Sequence, residues 1–224
     1  MRYIKGTSGV AVCFGGSELT IRGYVDSNFA GGHDKRKSTT SYVFTLAGGA
    51  VSWLSKLETV VALSTTEAEY MAATQACNEA IWMQRLMEEL GHKQKKITVY
   101  CDSQSALHIA RNPSFHSRTK HIGVQYHFVR EVLEEGSVDM HKIDTNDNLA
   151  DVMTKPINTG KFIWCDPPMA YWKRSNMNEQ GREILQSHKS SFKWEIVNDM
   201  GSSYDPSPRM ELVQMMIQAQ YCDW

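Results

Sequence analysis

The sequence predicts an α/β protein with a five-stranded mixed sheet, flanked by helices, in the element order βββαβααβα. Three observations predict this fold class. Residues 19–55 alternate β-rich runs with glycine-containing turns, which is typical of an antiparallel meander. Residues 63–91 carry the apolar period of one long helix. Residues 97–154 alternate short apolar runs with helical segments, and strands joined through a helix are expected to lie parallel.

The composition fits a globular protein rather than a disordered chain. The 224 residues are 42% hydrophobic and 22% charged, enough for one sizeable core and a small appendage. The net charge of −1 and a pI of about 6.7 give no global basic field, which argues against a protein that simply coats nucleic acid.

The cysteines and the apolar runs indicate an intracellular setting. Five scattered cysteines without a C-x-x-C pair are typical of reduced thiols rather than of disulfides or a zinc site. The chain shows no signal peptide and no run of about 18 apolar residues. We therefore expect a soluble cytoplasmic or nuclear protein with no membrane partner.

The first half of the chain is expected to supply four strands. Residues 9–14 form a short one. Residues 19–30, which carry Asp26, then precede two further strands at residues 40–46 and 50–55. These last three, separated by turns, make up the predicted meander.

The long helix of residues 63–91 has signals at both of its ends. Ser64 and Glu67 predict a capping box, in which Ser64 bonds a free backbone N–H and Glu67 reaches back to the cap, while Gly91 fits a left-handed stop. The core-facing stripe is Ala73, Ala76, Ala80, Met83, Met87 and Leu90. Four residues before Ala73 this stripe reaches Glu69, whereas Glu67 lies about 200° from that face. An acid is therefore expected to point towards the core.

After this helix, residues 97–101 form an apolar strand with Asp102 at its carboxyl end, where open α/β sheets collect chemistry. Ser103 can cap a short helix that stops at Asn112 and Pro113. A second amphipathic helix is expected to end near Gly136.

The last expected elements are a strand at residues 138–143 and a helix at residues 146–154. The helix is entered through Asn146 or Asp147 and carries Asp151. Asp147 is more simply explained as its cap than as a catalytic acid.

Four acids stand next to apolar neighbours: Asp26, Glu69, Asp102 and Asp151. Carboxylates that converge without compensation repel each other and are driven to protonate. Divalent cations resolve that conflict, and an all-oxygen ligand set favours Mg²⁺ or Mn²⁺ over zinc. Two such ions about 3.5–4 Å apart can hold the attacking and leaving oxygens of a phosphodiester, which is nuclease chemistry.

Six phrases in this order carry a family resemblance: GYVDSNFAG, KRKSTTSYVFTLAGGAVSW, ALSTTEAEYMAA, VYCDSQSA, RTKHIGVQYHFVRE and NLADVMTKP. Residues 2–156 resemble the ribonuclease H domain of copia-type retrotransposon Pol polyproteins. The resemblance implies a ribonuclease H-like fold and cleavage of the RNA strand of RNA–DNA hybrids with two Mg²⁺ ions, for which Mn²⁺ could substitute. It also implies Asp26, Glu69, Asp102 and Asp151 as the metal ligands, with Glu67 as the nearest rival of Glu69.

The resemblance also suggests how the chain is divided. Residues 1–20 resemble a remnant of the connection leading out of a reverse transcriptase, residues 21–160 the ribonuclease H-like domain, and residues 161–224 an atypical extension. The expected partners are an RNA–DNA hybrid and the reverse transcriptase portion of the same polyprotein, which this chain lacks. Cellular ribonucleases H often carry a histidine shortly before the last aspartate, but here the nearest is His141, which is expected inside a strand.

Two basic groups are candidates for contact with nucleic acid. Lys35, Arg36 and Lys37 lie in a polar turn that could touch a phosphate backbone. Arg118, Lys120 and His121 enter a helix whose N-terminus itself favours phosphate.

Two alternatives remain open at this point. The chain could be a catalytically silent relic that folds and binds nucleic acid or a partner without cleavage, or it could keep the fold and act on DNA instead.

Overall fold

The fold was analysed in a computed structural model, which describes residues 10–12, 19–31, 36–112, 123–155 and 171–173. The strands are β1 (Val10–Val12), β2 (Arg22–Asn28), β3 (Thr39–Leu46), β4 (Gly49–Leu57), β5 (Ile97–Cys101), β6 (Val138–Lys142) and β7 (Tyr171–Lys173). The helices are α1 (Thr65–Glu89), α2 (Gln104–Arg111), α3 (Gly123–Glu134) and α4 (Asp151–Thr154), with a 3₁₀ turn at Thr145–Asp147.

The main sheet has five strands in the order β4-β3-β2-β5-β6. β2, β3 and β4 form the antiparallel meander, while β5 pairs parallel to both β2 and β6. The predicted fold class, an α/β protein with a five-stranded mixed sheet, is confirmed. The topology also brings the carboxyl ends of β2 and β5 to the same edge of the sheet, because these two strands are parallel neighbours.

Helix α1 packs its predicted stripe against the sheet. Ala73, Ala76, Ala80, Met83 and Met87 are all at most 1% exposed, as the helical period requires. Gly91 follows the helix with φ +82°, and the amides of the two residues after the cap bond back to the last turn, from Gly91 to Glu88 and from His92 to Met87. This is the Schellman stop that glycine favours, so the predicted end of the helix is confirmed.

The beginning of α1 has the predicted Ser64 cap, together with a contact of Glu67 to the residue before the cap. Ser64 Oγ accepts a hydrogen bond from the Glu67 amide at 3.1 Å, as expected. The Glu67 carboxylate accepts a hydrogen bond from the Leu63 amide at 2.7 Å, one residue before the cap. Glu67 is also only 7% exposed, because it folds back over the residue that precedes the cap.

The predicted helix at residues 146–154 is wrong as a single element. The chain instead forms the 3₁₀ turn, a short connection and the one-turn helix α4. Asp144 caps the 3₁₀ turn by accepting from the Asn146 amide, and α4 begins after Ala150 with no side-chain cap. Asp147 does not cap a helix, because it is the last residue of the 3₁₀ turn and the buried Asn148 follows it directly.

A separate two-stranded ribbon pairs β1 with β7 in antiparallel register. The short strand expected at residues 9–14 thus finds its partner in the extension, for which the sequence predicted no architecture. The division at residues 20 and 160 stays a prediction, since most of residues 1–18 and 156–224 lie outside the described part of the chain.

Two simpler expectations concern membranes and thiols. Within the described ranges, none of the helices combines the length and apolarity needed to cross a bilayer. Cys77 and Cys101 are free and buried; burial raises the pKa of the Cys77 thiol to about 12.

Gly23 allows β2 to lie close to the aromatic core. A Cβ at this position would be 2.5 Å from Cε1 of the buried Phe44, its cross-strand partner on β3. We expect Gly23→Ala to lower the free energy of unfolding by about 1–3 kcal/mol through overpacking, measured by urea denaturation. The same change in a Phe44→Leu background should cost clearly less, and an equal cost in both backgrounds would contradict the explanation.

Candidate active site

The four acids singled out from the sequence come from four different elements. Asp26 lies in β2 and is 1% exposed, Asp102 directly follows β5, Glu69 lies in the second turn of α1, and Asp151 is the first residue of α4. Ligand atoms of Glu69 and Asp102, together with the Cys101 thiol, all lie within 4.8 Å of one another. The fold thus brings Glu69 and Asp102 together at the carboxyl end of β5.

The parallel register of two strands explains why Asp26 and Asp102 converge. Val25 pairs with Cys101 at the end of the β2–β5 ladder, so Asp26 and Asp102 are the next residues along each strand. Side chains at matching positions of neighbouring strands point to the same face. The two carboxylates therefore face the same space.

Glu69 of α1 lies close to both of these carboxylates. Burial, followed by the charges of Asp26 and Asp102, raises the pKa of the Glu69 carboxyl to about 8. The neighbouring Ser27 lowers the pKa of Glu69 to a smaller extent, and Glu69 Oε2 itself has no hydrogen-bond partner. Glu69 Oε2 is thus a buried oxygen that faces other acids and lacks a donor.

The Asp26 carboxylate contacts Thr154 of α4 and Lys155, which directly follows it; α4 also carries the fourth acid. Burial raises the pKa of its carboxyl, and the nearby Asp102 and Asp151 add to the rise. The Thr154 hydroxyl, which donates to Asp26 Oδ2, and the Lys155 ammonium act in the opposite direction. Ionised Asp26 thus depends on donors and positive charge supplied from α4.

Lys155 brings that positive charge to two of the acids. Its Nζ lies 2.5 Å from Asp151 Oδ1 and 3.6 Å from Asp26 Oδ2. Burial opposes the charged form, but the hydrogen bond to Asp151 and the surrounding carboxylates raise the pKa of Lys155 overall.

Serines from two strands fix α4 over the sheet. Ser41 Oγ donates to Ala150 O at 2.9 Å, and Ser55 Oγ donates to Met153 O at 2.7 Å. Ser41 is the cross-strand partner of Asp26, and Ser55 is the partner of Ser41. One row of side chains across three strands thus carries both an acid and the groups that hold α4.

Asn148 fixes the connection that precedes α4. It is fully buried, donates from Nδ2 to Val25 O at 2.9 Å and accepts from the Ala150 amide at 3.1 Å. The position of Asp151 therefore rests on a side chain that the sequence analysis did not single out. The only signal was a polar residue directly before the apolar Leu149 and Ala150.

Asp102 has neighbours of its own on the β6 side. Thr145 Oγ1 donates to Asp102 Oδ2 at 2.8 Å, and the Lys142 ammonium donates to the Asp102 backbone carbonyl. His141 lies in β6 as predicted, and its Nε2 is 3.1 Å from Asp139 Oδ2.

Most of the basic residues expected to contact nucleic acid lie outside the residues that the structure describes. Lys35, Arg118, Lys120 and His121 lie among residues that the structure does not describe. Arg36 is exposed with φ +49°, and Lys37 is half-buried.

The donor set at this edge fits a hard divalent cation. Its acids offer carboxylate oxygens, including the unpartnered Glu69 Oε2, and bring negative charge that a cation would neutralise. The only sulfur of the cluster, Cys101 Sγ, is a poor ligand, because burial and the nearby Glu69 raise the pKa of this thiol and keep it protonated. The same contacts favour Glu69 over Glu67 in this role, since Glu67 bonds the amide of Leu63.

Comparison with known proteins gives relatives among the retrovirus-related Pol polyproteins of transposons. The chain is 52% identical over 165 residues to the retrovirus-related Pol polyprotein from transposon TNT 1-94 of Nicotiana tabacum, covering 74% of this chain. It is 36% identical over 164 residues to the corresponding polyprotein from transposon RE1 of Arabidopsis thaliana, covering 72% of this chain. The matched region spans only 12% and 11% of the lengths of these relatives. No family model matches the chain.

Solved structures give more distant similarities. A ribonuclease H1 isolated from compost has a TM-score of 0.46 at 16% identity, covering 60% of this chain and 92% of that one. The ribonuclease H1 of Halobacterium salinarum has a TM-score of 0.44 at 16% identity, covering 60% of this chain and 93% of that one. The fold of this chain is defined by its own strand order and helices.

The Asn148 contacts predict a loss of stability on truncation. We expect Asn148→Ala to lower the free energy of unfolding by about 1–3 kcal/mol, because the buried Val25 carbonyl and Ala150 amide each lose a partner. The exposed Asn78→Ala on α1 is the control and should change stability by less than about 0.5 kcal/mol. Equal effects of the two substitutions would show that Asn148 does not anchor α4.

The raised pKa of Glu69 predicts a pH-dependent stability of the metal-free protein. The folded state holds the proton up to about pH 8, so this stabilising contribution is complete below the ordinary glutamate pKa and is lost as pH rises through 8. We expect Glu69→Gln to be increasingly more stable than wild type from pH 5 to pH 9, by on the order of 2–4 kcal/mol at the upper end. Urea denaturation in EDTA measures this, with the exposed Glu134→Gln on α3 as the control. A gain that does not grow with pH would contradict the prediction.

Proposed function

Because the chain belongs to the retrovirus-related Pol polyproteins of transposons, we propose that it is a metal-dependent endonuclease that hydrolyses the RNA strand of RNA–DNA hybrids during reverse transcription. The observation that carries the proposal is the convergence of the buried Asp26, the half-buried Glu69 and Asp102 at the carboxyl ends of β2 and β5. Acids so close together are unfavourable in a purely structural role, since each disfavours the ionised form of the next.

Each acid has a role in this proposal. Asp26 and Asp102 would hold the metal ions from the sheet, Glu69 would hold one ion from α1 and orient the attacking water, and Asp151 would be a ligand of the other. Two Mg²⁺ ions, when bound, supply the charge that activates a water and neutralises the scissile phosphate, and Mn²⁺ can substitute. Glu67 supports the site only indirectly, by closing the start of α1.

In this proposal, residues other than the four acids recognise the substrate. An RNA–DNA hybrid would be read through its 2′-hydroxyls and duplex shape rather than through base edges. Lys35, Arg36 and Lys37, together with Arg118, Lys120 and His121, are the proposed contacts to the phosphate backbone. The expected setting is the cytoplasm or nucleus, with the reverse transcriptase portion of the polyprotein presenting the hybrid.

A cleavage assay tests the proposal directly. We expect the 224-residue chain to cut the RNA strand of a labelled hybrid in Mg²⁺ and not in EDTA. Asp102→Asn should lower the rate by about 100-fold or more, because a lost metal ligand removes several kcal/mol of transition-state stabilisation. The control is the exposed Glu88→Gln at the opposite end of α1, which should cut like wild type.

Other outcomes would select the remaining alternatives. Binding of metal and hybrid without cleavage would identify a catalytically silent relic. Preferential cleavage of duplex or single-stranded DNA at matched salt would show that the substrate is DNA. Cleavage by Asp102→Asn at the wild-type rate would contradict the assignment of the site.

A further inference from the structure

Lys155 occupies an unusual place for a lysine, between two carboxylates assigned above as metal ligands. Its Nζ lies 2.5 Å from Asp151 Oδ1 and 3.6 Å from Asp26 Oδ2. The first distance is that of a short charge-assisted hydrogen bond. Those oxygens are the same ones that a divalent cation would need.

Hydrogen bonds hold the backbone that places Lys155 beside these carboxylates. The Lys155 amide donates to Asp151 O at 3.2 Å and closes the single turn of α4. The preceding Thr154 is held on both sides: its hydroxyl donates to Asp26, and its carbonyl accepts from Asn28 Nδ2 at 3.3 Å.

A second lysine nearby behaves differently and provides a comparison. The Lys142 ammonium donates to the backbone carbonyl of Asp102 and not to a carboxylate. Both lysines thus bring positive charge to the site, but Lys155 also occupies ligand oxygens.

The Lys155 side chain has an open route away from the site. It is 42% exposed, whereas the Asp26 and Asp151 side chains that it contacts are 2% and 16% exposed. The ammonium can therefore withdraw towards solvent while the two carboxylates stay in place.

We propose that Lys155 is a displaceable counter-ion that competes with one divalent cation for Asp26 and Asp151. In the metal-free protein it relieves the repulsion between the two acids and keeps their geometry. One cation must displace it to bind, which weakens that subsite relative to the one formed by Glu69 and Asp102. This inference rests on the proposed metal site but goes beyond it, because it assigns a role to a residue outside the ligand set.

Calorimetric titration of the metal-free, full-length protein with MnCl₂ tests the inference without any measurement of activity. We expect Lys155→Gln to bind its weaker Mn²⁺ about tenfold more tightly than wild type, because the two carboxylates are no longer occupied. Lys142→Gln is the matched control for removing a positive charge near the site, and it should gain less than about threefold.

The Lys155→Arg variant and a stability measurement test whether the positive charge of Lys155 is what competes with the cation. Lys155→Arg keeps the charge and should stay within about threefold of wild type in Mn²⁺ affinity, which also provides a test if Lys155→Gln fails to fold. In EDTA, Lys155→Gln should melt below wild type, and saturating Mn²⁺ should remove that difference.

Three results would overturn the inference. They are an unchanged or weaker Mn²⁺ affinity in Lys155→Gln, an equal gain in Lys142→Gln, and a tenfold gain in Lys155→Arg. If wild type cleaves hybrids while one of these results is found, only the role of Lys155 is lost. If neither wild type nor Lys155→Gln binds Mn²⁺, the metal site of the proposed function fails as well.

Discussion

Repulsion among carboxylates at one edge of the sheet is the constraint on which the rest of this structure depends. Burial, followed by the charges of Asp26 and Asp102, raises the pKa of the Glu69 carboxyl, and burial, with the charges of Asp102 and Asp151, raises the pKa of the Asp26 carboxyl. The fold tolerates this because α4 supplies a hydroxyl from Thr154 and an ammonium from Lys155. A polar site that destabilises the metal-free protein is typical of a surface selected for binding rather than for stability.

The rigid parts of the molecule are arranged around that constraint. Contacts near both ends of α1 reach β2 and the segment before it. Glu69 lies beside Ser27 of β2, and beyond the other end the Gln94 side chain donates to Leu19 O at 2.6 Å and accepts from the Ile21 amide at 3.2 Å. On the other side, serines of β3 and β4 hold α4. The acids thus come from elements whose relative positions are fixed by many independent bonds, which is the condition for a preorganised site.

Much of this arrangement could be predicted from the sequence because it follows from local patterns. The stripe of α1, its Gly91 stop and the apolar run of β5 depend on periodicity and backbone preference, and each was confirmed. The segment after β6 could not be predicted in the same way. Its path is decided by Asn148 bonding Val25, a contact between residues 123 positions apart, and no local signal distinguishes a buried anchor from a solvated asparagine. For the same reason the sequence indicated the four acids but not Lys155, whose partners are fixed only once α4 is placed on the sheet.

The parallel pairing of Val25 with Cys101 has a further consequence for how this segment tolerates changes in length. Because alternate residues of a strand face opposite sides, gaining or losing one residue inside β2 or β5 would turn Asp26 or Asp102 towards the helical layer. The turns between the strands are free of that restriction. Changes of length that fall in those turns should therefore leave Asp26 and Asp102 facing each other.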